Sequence, residues 1–243
     1  MLAFGFFVTA LLYASVGFGG GSTYSALLAL VGFDFRLLPI VSLCCNIVVV
    51  SGSTIRFTRA GLMPWRGALT LALVAAPLAF LGGLTPVKEA TFLILLGLSL
   101  ILAGVALLLP RAPEREGQPA PAARWMGFAA APLGYLAGLV GIGGGIFLAP
   151  LLHLTRWNRA RQIAATASLF ILINSIAGLV GQLAKNGPDR FAEALGGAAP
   201  LLLAVIVGGQ LGSLLAQRLL PEKVIRWLTA ALTIWAGSQL LLR

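Results

Sequence analysis

Gly141-Ile142-Gly143-Gly144-Gly145-Ile146 interrupts one long apolar run, and Gly17-Phe18-Gly19-Gly20-Gly21-Ser22 interrupts another in the same way. Gly141 follows Gly17 by 124 residues in a chain of 243, so the protein reads as two copies of one design. Adjacent glycines oppose a continuous helix, because each costs about 1 kcal/mol relative to alanine in a helix interior. A helix broken inside a membrane exposes backbone groups that only a neighbouring group or an ion can satisfy. The two clusters therefore point both to the architecture and to the place of function.

The solvent of the fold follows from composition. Hydrophobic residues make up 59% of the chain and charged residues 10%, with mean hydropathy +0.97. A soluble domain is about one quarter charged, so this chain is read as an all-α polytopic membrane protein. The net charge of +10 does not indicate nucleic acid. Every Lys and Arg lies between apolar segments or at their ends, where it sets topology and meets anionic lipid headgroups. Cys44 and Cys45 are neighbours inside an apolar run, which assigns them to packing rather than to a disulfide framework. Met1 to Ala14 carries no Lys or Arg, so it lacks the positive region of a signal peptide and is expected to be retained.

Eight apolar stretches are predicted, at about 1–31, 38–55, 68–84, 90–109, 125–154, 163–184, 195–217 and 224–242. A spanning helix needs about 20 residues. Six stretches have that length, whereas the two carrying glycine clusters are too long for one crossing and too short for two. The polar, proline-rich stretch 110–124 separates a first repeat, 1–109, from a second, 125–243. Leu84-Thr85-Pro86-Val87-Lys88 and Leu219-Leu220-Pro221-Glu222-Lys223 precede the fourth segment of each, and Asn46 and Asn174 fall in the second segment of each.

Charge tests the topology. If all eight stretches cross, the 17 Lys and Arg divide 9 to 8 between the two sides. If both glycine-broken stretches enter and return on one side, the division becomes 12 to 5, the bias expected when positive loops stay cytoplasmic. Residues 1–35 carry no Lys or Arg, so charge supports only the second hairpin, and the first follows from the repeat. The expected fold is two inverted four-segment repeats, each with one glycine-broken, re-entrant helical hairpin and three spanning helices.

A helix that resumes after a break begins with unpaired N–H groups and about half a unit of positive charge. Gly19, Gly20, Gly21, Ser22 and Thr23 in one half, and Gly143, Gly144 and Gly145 in the other, are the candidate anion-binding residues. Packing is the competing explanation, since Gly17 with Gly21 and Gly141 with Gly145 are both GxxxG pairs. Asn46 and Asn174, each in an apolar segment, are expected to line the site, because an amide in lipid needs a partner. Ser42, Thr166, Ser168, Gln182, Gln210 and Ser213 carry a weaker signal of the same kind. No Asp, Glu, Lys or Arg falls deep inside a segment, so no buried proton relay or fixed countercharge is visible. His153 stands alone at the edge of its segment, and no cluster of metal-ligating residues is present, so neither metal nor cofactor is expected.

The paired motifs resemble the TauE/SafE sulfite exporter family, also called the 4-toluene sulfonate uptake permease family. The similarity is carried by Gly141 to Leu152, by Arg161-Gln162-Ile163-Ala164-Ala165-Thr166-Ala167-Ser168, and by the glycines of Gly17 to Leu28. The first copy departs from the second at Ala26, where the second has Pro150. The resemblance implies a multi-pass permease of the bacterial inner membrane for sulfite, sulfonates or related sulfur-containing anions.

The expected function is therefore alternating-access transport of a small anion, with no enzymatic activity. The partners are that anion and membrane lipid, with a homodimer compatible and nucleic acid excluded. The alternative is a passive channel of aquaporin-like design, six crossings and two hairpins, although neither break carries an Asn-Pro-Ala signature.

Overall fold

The computed structural model describes residues 1–15, 17–109, 123–215 and 222–242. The described residues form helices and connecting turns, with no strand. The proline-rich stretch 110–124 lies almost wholly outside them, as do part of 219–223 and the side chain of Ser213.

The first apolar stretch forms two short helices, α1 (Leu2–Ser15) and α2 (Gly21–Leu30). Three longer helices follow: α3 (Leu38–Arg59), α4 (Trp65–Leu84) and α5 (Glu89–Leu108). The second half repeats the pattern with α6 (Ala123–Val140), α7 (Gly145–Leu154), α8 (Ala160–Leu215) and α9 (Glu222–Leu241). Both glycine clusters break their helices as expected. Gly20 and Gly144 precede α2 and α7 with φ of 79° and 76°, a left-handed conformation that glycine adopts without steric penalty.

The stretches 163–184 and 195–217 are joined more closely than the sequence indicates. α8 runs through both, and only Gly187 leaves helical geometry, with φ 80° and ψ 167°. Pro188 explains the position of the bend. Proline disfavours helical geometry at the residue before it, here a glycine free to take a positive φ, and it is well placed to start the next helix. Each limb of α8 has about 27 residues, hence about 40 Å of helix, enough to cross a bilayer core of about 30 Å. Helices α3, α4 and α5 are also long and apolar enough to cross.

Packing interleaves the two halves. Within the first, Phe6 stacks on Tyr24 with ring centroids 4.8 Å apart and Gly5 lies against Leu27, so α2 folds back along α1. Between the halves, Thr54 of α3 bonds Ser168 of α8 at 3.3 Å, while Leu43 lies against Gly178, so these segments run antiparallel. Helices α5 and α9 are antiparallel too, with Gly97 beside Gly237 and Gly104 beside Ala230.

Three crossings bring helix backbones close, one of them between Gly83 of α4 and Gly178 and Gly181 of α8. Gly134 and Gly138 of α6 lie on Ala75 and Ala79 of α4, and Gly208 and Gly212 of α8 lie on Phe7 and Leu11 of α1. At each of these glycines a Cβ would meet backbone of the other helix, so they are small-residue contacts of the kind that let helices touch in lipid.

Candidate functional site

The GxxxG explanation of the glycine clusters requires both glycines on one helix face. Gly17 and Gly141 instead have φ of 84° and 79° and stand in the breaks, outside the helices that Gly21 and Gly145 begin. They pack on other elements, Gly17 against Phe57 and the Ala164 carbonyl, and Gly141 against Pro39. The cluster glycines therefore do pack against other helices, though not as a GxxxG face of one helix.

The two breaks meet. Asn46, halfway along α3, places its amide against Gly19 and Gly21 of the first break and Gly143 of the second. Ile171 of α8 lies against Gly19, Gly143 and Gly145. One side chain from each half therefore spans both glycine clusters. Each is nearly or fully removed from solvent: Asn46 is 0% exposed and Ile171 2%.

The Asn46 amide is oriented by its partner. Its Oδ1 accepts the Gly21 N–H at 2.8 Å, capping the first N–H of α2. The Nδ2 group then faces Gly143, 2.8 Å from where a Cβ would stand, and has no hydrogen-bond partner. Ser175 Oγ is 3.1 Å from the same position and is also buried without a partner. An unsatisfied buried polar group costs about 1–3 kcal/mol. Two such groups converging on one glycine call for an acceptor between them.

The halves differ at one decisive position. Counting forward 124 residues, Gly145 corresponds to Gly21, but the side chain packed on it is Ile171 rather than an amide. Consequently the N–H groups of Gly145 and Ile146 have no hydrogen-bond partner among the described residues, whereas the Gly21 N–H is taken. The first break thus holds the Asn46 amide through Gly21, whereas the leading N–H groups of α7 are not taken by a side chain. The polar groups gathered around the second break are the backbone N–H groups of α7, the Asn46 amide and the Ser175 hydroxyl, all able to donate and none charged.

The remaining candidate residues take other places. Gly20 lies against Thr9 and Tyr24, and Gly144 against Leu133, Ala137 and Phe170, so both shape the hairpins rather than face Asn46. Ser22 is buried in the first turn of α2. Thr23 Oγ1 is bonded to Tyr13 Oη at 2.8 Å, and Tyr13 also reaches Thr233 at 3.0 Å. Asn174 Nδ2 donates to the Phe170 carbonyl of its own helix at 2.8 Å, leaving Oδ1 buried without a partner. Asn174 is not among the nearest neighbours of either glycine triplet. Ile171 and Ser175 were not singled out from sequence; only their spacing around Asn174 on one helix pointed toward them.

The weaker polar residues tie elements together. Ser42 receives a bond from Ser25 at 2.7 Å, Gln182 donates to the Gly138 carbonyl at 3.1 Å, and Thr166 bonds its own helix. Cys44 and Cys45 are free thiols.

Apolar helices of spanning length around a buried, uncharged donor cluster define a polytopic membrane transporter. Residues 1–240 match the family model described as sulfite exporter TauE/SafE, and the chain belongs to that family. It is 33% identical over 253 residues to a probable membrane transporter protein of Sinorhizobium fredii, an alignment covering 99% of this chain and 97% of that one. A probable membrane transporter protein of Methanocaldococcus jannaschii is 23% identical over 253 residues, covering 97% and 92% respectively. No solved structure matches the chain.

Proposed function

We propose that the chain carries a small sulfur-containing anion, such as sulfite or an organosulfonate, across the bacterial inner membrane by alternating access. The observation that carries this reading is the Asn46 amide: Oδ1 fixed on Gly21, Nδ2 unpartnered against Gly143. An anion received there would accept from Asn46 Nδ2, Ser175 Oγ and the opening N–H groups of α7. With no countercharge in the cradle, binding rests on neutral donors and the helix dipole, which suits an ion that must also leave.

Three features support the transport architecture. The antiparallel pairing of α3 with the first limb of α8, and of α5 with α9, is what two inverted repeats, 1–109 and 125–243 with a linker at 110–124, would produce. Helices α1 and α2 have 14 and 10 residues, about 21 and 15 Å, each short of a bilayer core. That length supports a re-entrant hairpin. Finally, the cradle has a seal on either side along the route. Gly17 packs on Phe57 with the Thr54–Ser168 bond beside it, and Gly141 packs on Pro39 with the Ser25–Ser42 bond beside it. Opening one seal at a time is alternating access.

The test is thermal-shift screening of purified protein against sulfite, sulfate, thiosulfate and sulfonates, followed by flux in liposomes. Saturable, gradient-coupled flux of a stabilising anion is expected. Rapid flux of water with no anion dependence would replace the transporter by a channel.

A further inference from the structure

Away from the glycine breaks, the described residues form a half-open pocket of about 290 Å³ between the α2–α3 turn, the α4–α5 turn and the bend of α8. Phe35, Pro39, Val87 and Phe92 give it apolar walls, and Arg36 and Lys185 give it two cations. No carboxylate lines it. Asp34, beside it in sequence, is already engaged: Oδ1 accepts the Arg36 backbone N–H at 2.9 Å and Oδ2 accepts from Arg190 at 3.2 Å. Among the described residues, neither the Arg36 guanidinium nor the Lys185 ammonium has an ion-pair partner.

The two cations differ in setting, Arg36 being exposed and Lys185 half-buried. The Arg36 guanidinium stands 5.6 Å from the centroid of the Phe35 ring. Lys185 is half-buried, and its Nζ makes one long bond, 3.4 Å, to the Thr85 carbonyl. The cavity floor includes Pro39 and Leu139, and Pro39 is the residue on which Gly141 closes. Pro39 and Asn46 are separated by about 10 Å along α3 at 1.5 Å per residue. The cavity therefore sits above the cradle with one seal between them.

Its size is at the small end of ligand pockets, and most of its wall is apolar. A bare three-oxygen anion would use the cations and leave the walls unused. We propose that this cavity is a second anion site, taking an organic anion by its acidic head through Arg36 and Lys185 and by a compact apolar body against Phe35, Val87 and Phe92. Its place as the outer station of the route rests on the transporter reading. Its binding chemistry rests on its own lining.

Titration calorimetry of the purified full chain tests this, with benzoate and acetate as probes that share a head and differ in apolar body. The wild type should bind benzoate at least about fivefold tighter than acetate, since burial of a ring adds apolar contact. The R36Q/K185Q variant should lose about tenfold in benzoate affinity while sulfite affinity stays within about twofold. Each single variant, R36Q and K185Q, should lose about threefold, which keeps the test intact if the double variant folds poorly. Equal affinities for benzoate and acetate, or unchanged benzoate binding in both single variants, would overturn the proposal. Loss of benzoate binding in the variants of a protein that never binds sulfite would uphold this site and sink the cradle.

Discussion

Asn46 and Gly21 share a buried hydrogen bond, side-chain Oδ1 to backbone N–H at 2.8 Å, and that bond aims the other end of the amide across the interface between the two halves. A single side chain thus caps one broken helix and offers a donor at the start of the next. The two breaks are asymmetric at this point, since Ile171 rather than an amide packs on Gly145.

Asn46→Asp keeps an acceptor for Gly21 and replaces the donor facing Gly143 by a negative oxygen. Anion affinity should fall by more than about tenfold, because each lost 1.4 kcal/mol is a factor of ten. Asn46→Leu should also leave the Gly21 N–H unpaired and cost about 1–3 kcal/mol of stability. Calorimetry and thermal melting separate the two effects, and unaltered affinity in both variants would remove Asn46 from the site.

Ser175→Ala removes a buried hydroxyl that has no hydrogen-bond partner. Stability without ligand should therefore be unchanged or slightly raised, while anion affinity falls about three- to tenfold. A loss of stability with normal affinity would assign Ser175 to packing instead.

Gly143→Ala places a Cβ 2.8 Å from Asn46 Nδ2 and 3.1 Å from Ser175 Oγ, at a φ of 78°. Binding should be abolished. Gly61→Ala is the matched control, since Gly61 has φ 66° and nothing within 4 Å of a Cβ. Both variants carry the left-handed strain of about 1 kcal/mol; the Gly143 Cβ also meets Ile171 at 2.8 Å, so thermal melting must show both variants folded before a difference in binding counts for the cradle.

Thr54→Cys with Ser168→Cys, in a chain also carrying Cys44→Ala and Cys45→Ala, tests the seal between α3 and α8. Their hydroxyls are 3.3 Å apart. Oxidation should stop anion flux and reduction should restore it, read in liposomes. Full flux through the oxidised protein would show that this contact does not open during transport.

The sequence carried much of this account. The glycine triplets located both helix breaks, and most apolar stretches became the observed helices, but 163–184 and 195–217 joined into α8 with only Gly187 between its limbs. Gly187 was harder to read, because one left-handed residue before a proline turns the chain without a loop. The true small-residue crossings, Gly134–Gly138 and Gly208–Gly212, carry the same i, i+4 spacing as Gly17–Gly21. Spacing alone does not tell a helix face from a helix break. The pairing of Asn46 with Asn174 rested on both lying in the second segment of a repeat. A shift of 124 residues from Asn46 instead reaches Phe170, whose carbonyl Asn174 bonds. Which residue of α8 meets the breaks depends on helix rotation, and rotation is set by packing against α3 rather than by local sequence.

The central claim is that the two glycine breaks form one anion cradle, and binding stoichiometry tests it most directly. Titration of purified wild-type, Asn46→Asp and Gly143→Ala proteins with sulfite should give one saturable site per chain in the wild type and none in either variant, although the two substitutions lie in different halves. Two equivalent sites per chain, or sulfite binding that survives both substitutions in folded protein, would contradict it.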